Sequence, residues 1–348
     1  MGKWKMVAKP IVFLLLFLSL GFGFTRLLTP YWGTTTNQSE TFYALPEDSI
    51  DVMTVGSSSL LVCVSPLVMW ESRGITSYSR CTSVQAPLIT YFNVAEGLEY
   101  QTPEVVIIGT MFLFDEYDVD TEENEARLRA TLDTRRLSKQ KLEAIRAIVQ
   151  ESEFQTFGDY LFPIVRHHAQ WASINESSFE REHHYTRGYL PVYKLEVLED
   201  QRNMTPAGQP TAVNENSEFY YRKAIEACLE KDCKVLLLNA PRVDWTYGKH
   251  LAIQQLADEY GVDYLDFNLD EVWDAAGVDV QTDFYNNTHI NTYGAVKTSQ
   301  YLADYLTEHY QIPDRRTDEM VAASYNADYE RFRTEMEERR TKLFPEES

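Results

Sequence analysis

The sequence predicts an α/β protein, a parallel sheet covered by helices on both faces, joined to one N-terminal transmembrane helix. Three observations carry that expectation. The runs Glu104-Val-Val-Ile-Ile-Gly109 and Lys234-Val-Leu-Leu-Leu-Asn239 are almost continuously apolar, as strands buried on both faces are. Helical patterns over residues 217–232, 247–260 and 295–309 alternate with such runs, the rhythm of a parallel sheet. No residue from Pro10 to Phe24 is charged, and Lys3, Lys5 and Lys9 precede that stretch.

In chain order, the segment Ile11-Val-Phe-Leu-Leu-Leu-Phe-Leu-Ser-Leu20 has signal-like hydrophobicity. Extended through Leu27 and Leu28, with Arg26 free to snorkel, it approaches the ~20 residues that span a bilayer. A cleaved signal peptide should show a small-x-small site; the exit here reads Thr25-Arg-Leu-Leu-Thr-Pro-Tyr-Trp32 instead. An uncleaved signal anchor over residues 10–28 is therefore expected, in preference to a cleaved signal or a buried core helix. The lysines place residues 1–9 in the cytoplasm and the remainder outside, on a single-pass protein of the cell membrane. Residues 29–46 are mostly polar and read as a tether.

The domain proper is expected over residues 47–312. Asp51-Val-Met-Thr-Val55 reads as a first strand, residues 59–70 as a helix, and Ile75-Thr-Ser-Tyr-Ser79 as a second strand. The two apolar runs follow as third and fourth strands, and Val262-Asp-Tyr-Leu-Asp266 as a fifth. Residues 111–216 interrupt the rhythm as an insertion. It holds one clear helix, 138–151 with Ser138 as N-cap, and then an aromatic, His-rich stretch. Such insertions tend to ride over the carboxyl ends of the strands. Residues 313–348 are highly charged and read as a solvated terminal helix.

With 348 residues, 44% of them hydrophobic, the chain can bury a large core. Its net charge of −21, from 53 acidic and 32 basic residues, repels phosphate backbones and argues against nucleic acid as a partner. Cys228 with Cys233, and Cys63 with Cys81, could pair in an oxidising compartment or stay as buried thiols. No Cys-x-x-Cys occurs, and the pairs His167-His168 and His183-His184 lack a ligand spacing, so no metal is expected. No phosphate-binding glycine loop is present, so no nucleotide cofactor is expected. Asn37, Asn175, Asn203 and Asn286 fit the N-glycosylation pattern, which matters only where that modification operates.

Two blocks can carry chemistry. Val55-Gly-Ser-Ser-Ser59 sits where a strand turns into a helix, outside the carboxyl edge of the sheet, where helix N-terminal amides favour developing negative charge. Serine is also a common N-cap, which is the plainer reading of the block. Asp283-Phe-Tyr-Asn-Asn-Thr-His-Ile-Asn-Thr-Tyr-Gly294 puts a histidine in the loop before the last long helix. A hydroxyl nucleophile needs such an imidazole to take its proton, and a carboxylate to fix the imidazole's tautomer.

In this order, at opposite ends of an α/β domain, the blocks resemble the SGNH (GDSL-like) hydrolase superfamily. The likeness is to its membrane-anchored extracytoplasmic branch, the bacterial accessory proteins of teichoic-acid D-alanylation and alginate O-acetylation, and spans roughly residues 51–309. The resemblance implies a flavodoxin-like five-stranded sheet, Ser58 as nucleophile with its own N–H in the oxyanion hole, and His289 as base. It implies no cofactor, an acyl ester of a cell-surface glycopolymer as substrate, and a membrane-bound O-acyltransferase as partner. His168-Ala-Gln-Trp171 is similar to a His-x-x-Trp element of these insertions.

The chain departs from that pattern at three places. Asn286 stands where the family has its Asp, three before His289, and Asp283 lies three further back, where only a reshaped loop brings it to the imidazole. An Asn that holds the wrong tautomer costs a serine protease about 10⁴ in kcat. Cys81 stands where the family tends to have an oxyanion-hole Gly, and Ile108-Gly-Thr110 lacks the family's Asn. Each lost oxyanion donor costs about 2.7–4 kcal/mol. Two readings follow: a serine esterase or O-acyltransferase using Ser58, His289 and Asp283 or Asn286, with Ser58 and Cys81 as oxyanion donors, or a catalytically silent domain of the same fold that binds a cell-wall polymer or scaffolds the acyltransferase.

Overall fold

The structure is a computed structural model describing residues 3–174, 178–179 and 184–343; Asn175, His183 and the last five residues of the expected tail lie outside them. Strands β1 (Val52–Val55), β2 (Ser77–Ser79), β3 (Val105–Gly109), β4 (Lys234–Asn239) and β5 (Asp263–Asp266) form one sheet in the order β2-β1-β3-β4-β5, every pairing parallel. This is the doubly wound order, and it reverses between β1 and β3. Alternate residues serve opposite faces. Val52, Ile107, Leu236 and Leu238 enter one core, and Met53, Val55, Val106, Ile108, Val235 and Leu237 the other. A two-stranded hairpin, β6 (Phe284–Asn286) with β7 (His289–Ile290), stands apart from the sheet.

The helices are α1 (Lys3–Leu28), α2 (Thr34–Phe42), α3 (Ser58–Cys63), α4 (Pro66–Arg73), α5 (Pro87–Gly97), α6 (Glu122–Asp133), α7 (Lys139–Glu151), α8 (Phe157–Leu161), α9 (Pro163–His167), α10 (Glu215–Leu229), α11 (Tyr247–Tyr260), α12 (Asp270–Ala276), α13 (Thr292–Tyr310) and α14 (Glu319–Leu343). α3, α4, α12, α13 and α14 cover one face of the sheet; α2, α5, α10 and α11 cover the other. The expected three-layer α/β/α sandwich is what forms. In α1, Ala8–Leu28 has a mean hydropathy of 2.2 and is long and apolar enough to cross a membrane.

Three expectations need correction. Residues 59–70 are not one helix, because Pro66 forces Ser65 into extended backbone (φ −94°, ψ 112°) and α4 restarts behind it. The tether is not free chain. Within it α2 folds onto the domain with Phe42 1%, Asn37 4% and Gln38 6% exposed, so the Asn37 acceptor pattern is closed off. Its polar residues are held by hydrogen bonds; the Tyr78 hydroxyl donates to the Gln38 carbonyl at 2.8 Å and contacts Thr41 Oγ1. The charged tail is docked rather than solvated. Tyr325 of α14 stacks on Trp70 at 4.5 Å and its hydroxyl bonds both the N–H and the carbonyl of Ser77.

The insertion builds α6 to α9 around a small core on the outer side of α5, with Ser138 capping α7 as expected. Its last part is an extended strap. Leu190 N–H donates to Leu61 O, Glu196 N–H to Phe284 O, Leu198 N–H to Val280 O and Gln201 N–H to Val243 O. The strap therefore runs past α3, the hairpin and the loop after β4, the elements that frame the site below.

Phe332 is 1% exposed and packs edge-to-face on Tyr189. Phe332→Ala is expected to cost about 3–5 kcal/mol in denaturant unfolding of the full chain, the usual range for emptying such a site. Met320→Ala, at an 84% exposed residue of the same helix, is expected to change stability by less than about 0.5 kcal/mol.

Candidate active site

The chain leaves β1 at Gly56, at the carboxyl edge beside the point where the strand order reverses. A Cβ on Gly56 would lie 3.1 Å from Gly109 Cα, and one on Gly109 would lie 2.9 Å from Leu60 Cδ2. The two glycines let the ends of β1 and β3 touch, and Leu60 of α3 seals the contact. Ser57 caps α3 by position, but its Oγ accepts from Gln85 N–H at 3.3 Å rather than from the helix's own amides. Ser58 follows as the first helical residue, half-exposed at the edge of the sheet.

His289 arrives on the hairpin. Its Nε2 is 2.8 Å from Ser58 Oγ across 231 residues of sequence. Asn286 and His289 are cross-strand partners in the β6–β7 ladder, which puts a residue three back in sequence directly beside the imidazole. Asn286 Oδ1 lies 3.0 Å from His289 Nδ1. The same oxygen accepts from Thr288 N–H at 3.0 Å, and that backbone donor identifies the atom as oxygen rather than nitrogen. An acceptor facing Nδ1 requires Nδ1–H, with Thr288 Oγ1 at 2.7 Å as a second partner of that nitrogen. Nε2 is then the bare nitrogen, and Ser58 O–H donates to it. The amide holds the tautomer a general base needs.

What the amide does not supply is charge. Burial lowers the His289 pKa from 6.5 to about 4, and the nearby Arg242 guanidinium pushes in the same direction. Arg242 is itself braced by Asp244, Nε to Oδ1 at 2.9 Å, and Tyr285 stacks on the imidazole at 5.5 Å.

Asp283 is not the orienting acid. Its carboxylate, 1% exposed, takes Lys297 Nζ at 2.7 Å, Thr282 Oγ1 at 3.0 Å and the Asp279 N–H at 2.8 Å. It braces the root of α13 and does not contact the imidazole. Two other marks of the closing block are structural as well. Asn291 caps α13, and a Cβ on Gly294 would strike Asp283 Cβ at 2.8 Å. Thr110 turns toward the sheet, its N–H donating to Leu238 O at 3.3 Å.

Cys81 lies buried in the turn after β2. Its N–H has only a long contact, 3.5 Å, with Ser79 Oγ. The turn around it is clamped. Gln38 Nε2 donates to Cys81 O at 2.7 Å and to Gly188 O at 3.0 Å, Asn93 Nδ2 donates to Arg80 O at 3.1 Å, and Thr82 N–H donates to Gly56 O at 3.1 Å. Arg80 in turn bonds Glu96 at 2.6 Å in the interior. Burial raises the Cys81 and Cys63 thiols to about 12, and all four cysteines are free, so neither envisaged disulfide forms. His167 is paired with Asp133 at 3.0 Å, and His168 Nδ1 donates to Val165 O. Among the described residues, no three His, Cys, Asp or Glu side chains converge as metal ligands.

The sequence marked Ser58, His289 and Asn286 and missed Thr288, Gln38, Tyr285 and Arg242. Thr288 could have been found from the hairpin pairing. Gln38 lies in a polar run without periodicity, and no motif marks Arg242.

No protein-family model and no curated protein sequence matches this chain. Among solved structures it is similar to one titled a "putative acylhydrolase" from Bacteroides fragilis, with 9% identity and a TM-score of 0.39 over 81% of this chain and 99% of that one. At that score the likeness carries no argument, and the site rests on its geometry.

An unfolded histidine titrates near 6.5, so between that value and about 4 the unfolded chain binds the extra proton. His289 therefore weakens the fold progressively as pH falls through this window and has no effect above it. Reactivity that needs the neutral imidazole should hold down to about pH 5 and fall with a midpoint near 4. Asn286→Asp places a carboxylate on Nδ1 and is expected to move that acid limb upward by about 1–3 units. Following the labelling rate of Ser58 against pH in both proteins checks the sign.

Proposed function

We propose that this protein is a serine esterase or O-acyltransferase of the SGNH type, held to a membrane by α1 with its domain on the non-cytoplasmic side. The observation that carries the reading is the 2.8 Å contact of Ser58 Oγ with a His289 Nε2 left unprotonated by Asn286. Ser58 Oγ attacks the carbonyl carbon of an acyl ester as Nε2 takes its proton. The tetrahedral oxyanion forms beside the Ser58 N–H, with the Cys81 N–H as second donor. Nε2–H then protonates the departing alkoxide, leaving Ser58 acylated. Water or a glycan hydroxyl then gives its proton to Nε2 and takes the acyl group, and Nε2–H returns the proton to the departing Ser58 Oγ. Membrane attachment and the family resemblance favour acyl esters of cell-surface glycopolymers as substrates and a membrane-bound O-acyltransferase as partner.

A second reading, a catalytically silent domain that binds such a polymer or scaffolds that acyltransferase, draws on two observations. Among the described residues no carboxylate supports the imidazolium, and the Thr110 hydroxyl is turned to Leu238 O rather than to an oxyanion.

The two separate on treatment of the full chain in detergent with a serine-reactive fluorophosphonate. Labelling of the parent, and its loss by roughly 10⁴-fold or more in Ser58→Ala and His289→Ala, is expected for the enzyme. An unlabelled parent, or labelling indifferent to both substitutions, supports the silent domain. Gln38→Ala loosens the Cys81 turn without touching the imidazole. It is expected to slow labelling by up to about 10²-fold while the acid limb stays in place.

A further inference from the structure

α1 is exposed along most of its length, but one face of its last two turns is covered. Gly21, Thr25 and Leu27 are half-buried and Leu28 is 8% exposed. The elements lying against α1 include α9 and the 3-10 turn His168–Ser173 behind it, and Arg26 in its last turn meets Glu40 of α2 at 3.7 Å. Of these, α9 is pinned to the domain on one side: Pro163 and His167 are buried, His167 Nε2 meets Asp133 at 3.0 Å, and Arg166 meets Glu125 at 2.7 Å. On the other side they present large apolar groups to the outside, Phe162 at 57% exposure, Val165 at 60% and Trp171 at 68%.

A helix of the length of Ala8–Leu28 rises about 31 Å, the thickness of a bilayer's hydrocarbon core. Its last two turns then lie at the boundary of the leaflet from which the domain emerges, and whatever packs beside them lies at that depth. We propose that α9 and the following turn are a second membrane contact, with Phe162, Val165 and Trp171 seated at the headgroup–acyl boundary of that leaflet. Aromatic rings favour this zone. A net charge of −21 disfavours anionic lipid, and the exposed groups are apolar, so zwitterionic lipid suffices. The inference rests on α1 spanning the bilayer and not on the catalytic reading.

The test uses the full chain in phosphatidylcholine nanodiscs, with nitroxide labels on Phe162→Cys, Val165→Cys and Trp171→Cys; the native thiols are buried. Leu16→Cys in α1 and Val197→Cys, 63% exposed on the strap, are the bilayer and water references. Power saturation should show the three sites accessible to oxygen and shielded from an aqueous nickel chelate, at depths between the references and unchanged by salt. Nickel accessibility equal to that at Val197→Cys overturns the proposal. Immobilised labels shielded from both oxygen and nickel overturn it in favour of a protein partner. A water-exposed Leu16→Cys label removes both the spanning helix and the second contact, and leaves the labelling chemistry of Ser58 unaffected.

Discussion

The site depends on a place where there is no room for a side chain. Gly56 and Gly109 bring the ends of β1 and β3 into backbone contact at the point where the sheet reverses its order. That contact lets α3 start immediately beyond the sheet's edge and lets Leu60 close over both glycines. Ser58 is thereby fixed by the close packing of the two central strands, and His289 has only to be delivered to it. A hairpin does so, because pairing across two short strands sets the height of the imidazole and brings its orienting amide in the same step.

The chemistry of that amide explains why an Asn is tolerable at a position where an acid is expected. The harm of such a change in a protease comes from an amide N–H turned toward the imidazole, which stabilises the wrong tautomer. Here the Thr288 backbone N–H occupies Asn286 Oδ1 and fixes the amide the other way round. What is forgone is stabilisation of the imidazolium, so the base is weak as well as correctly oriented. The protein's acid, Asp283, is spent with Lys297 on holding the root of α13.

The centre of the sheet was legible because β3 and β4 are buried on both faces and carry almost no polar residue. Ser58 and His289 were legible because each sits beside a glycine or an N-cap whose purpose is local. One helix ahead of the insertion was harder to read: α5 is buried on nearly every side, since it lies between the sheet and a second small core, and so shows no stripe. α2 failed for the opposite reason. Its contribution is made through the amide of Gln38 and the backbone around Tyr78, and hydrogen bonds leave no periodic trace in a sequence. The docking of α14 rests on Tyr325 and Phe332, two anchors seven residues apart in an otherwise charged helix.

Because α2 is folded onto the domain, the free chain between the membrane helix and the body of the protein shrinks. A loose linker over residues 29–46 would reach about 60 Å, whereas the residues between Leu28 and Thr34 reach about 17 Å at full extension. With α1 in a bilayer, as proposed, Ser58 is held at one height above it instead of sweeping a volume. On the proposed reading, a long polymer would have to be brought past it or present its modified units at that level, and the distance from the lipid would become a criterion of selection alongside the shape of the acyl group.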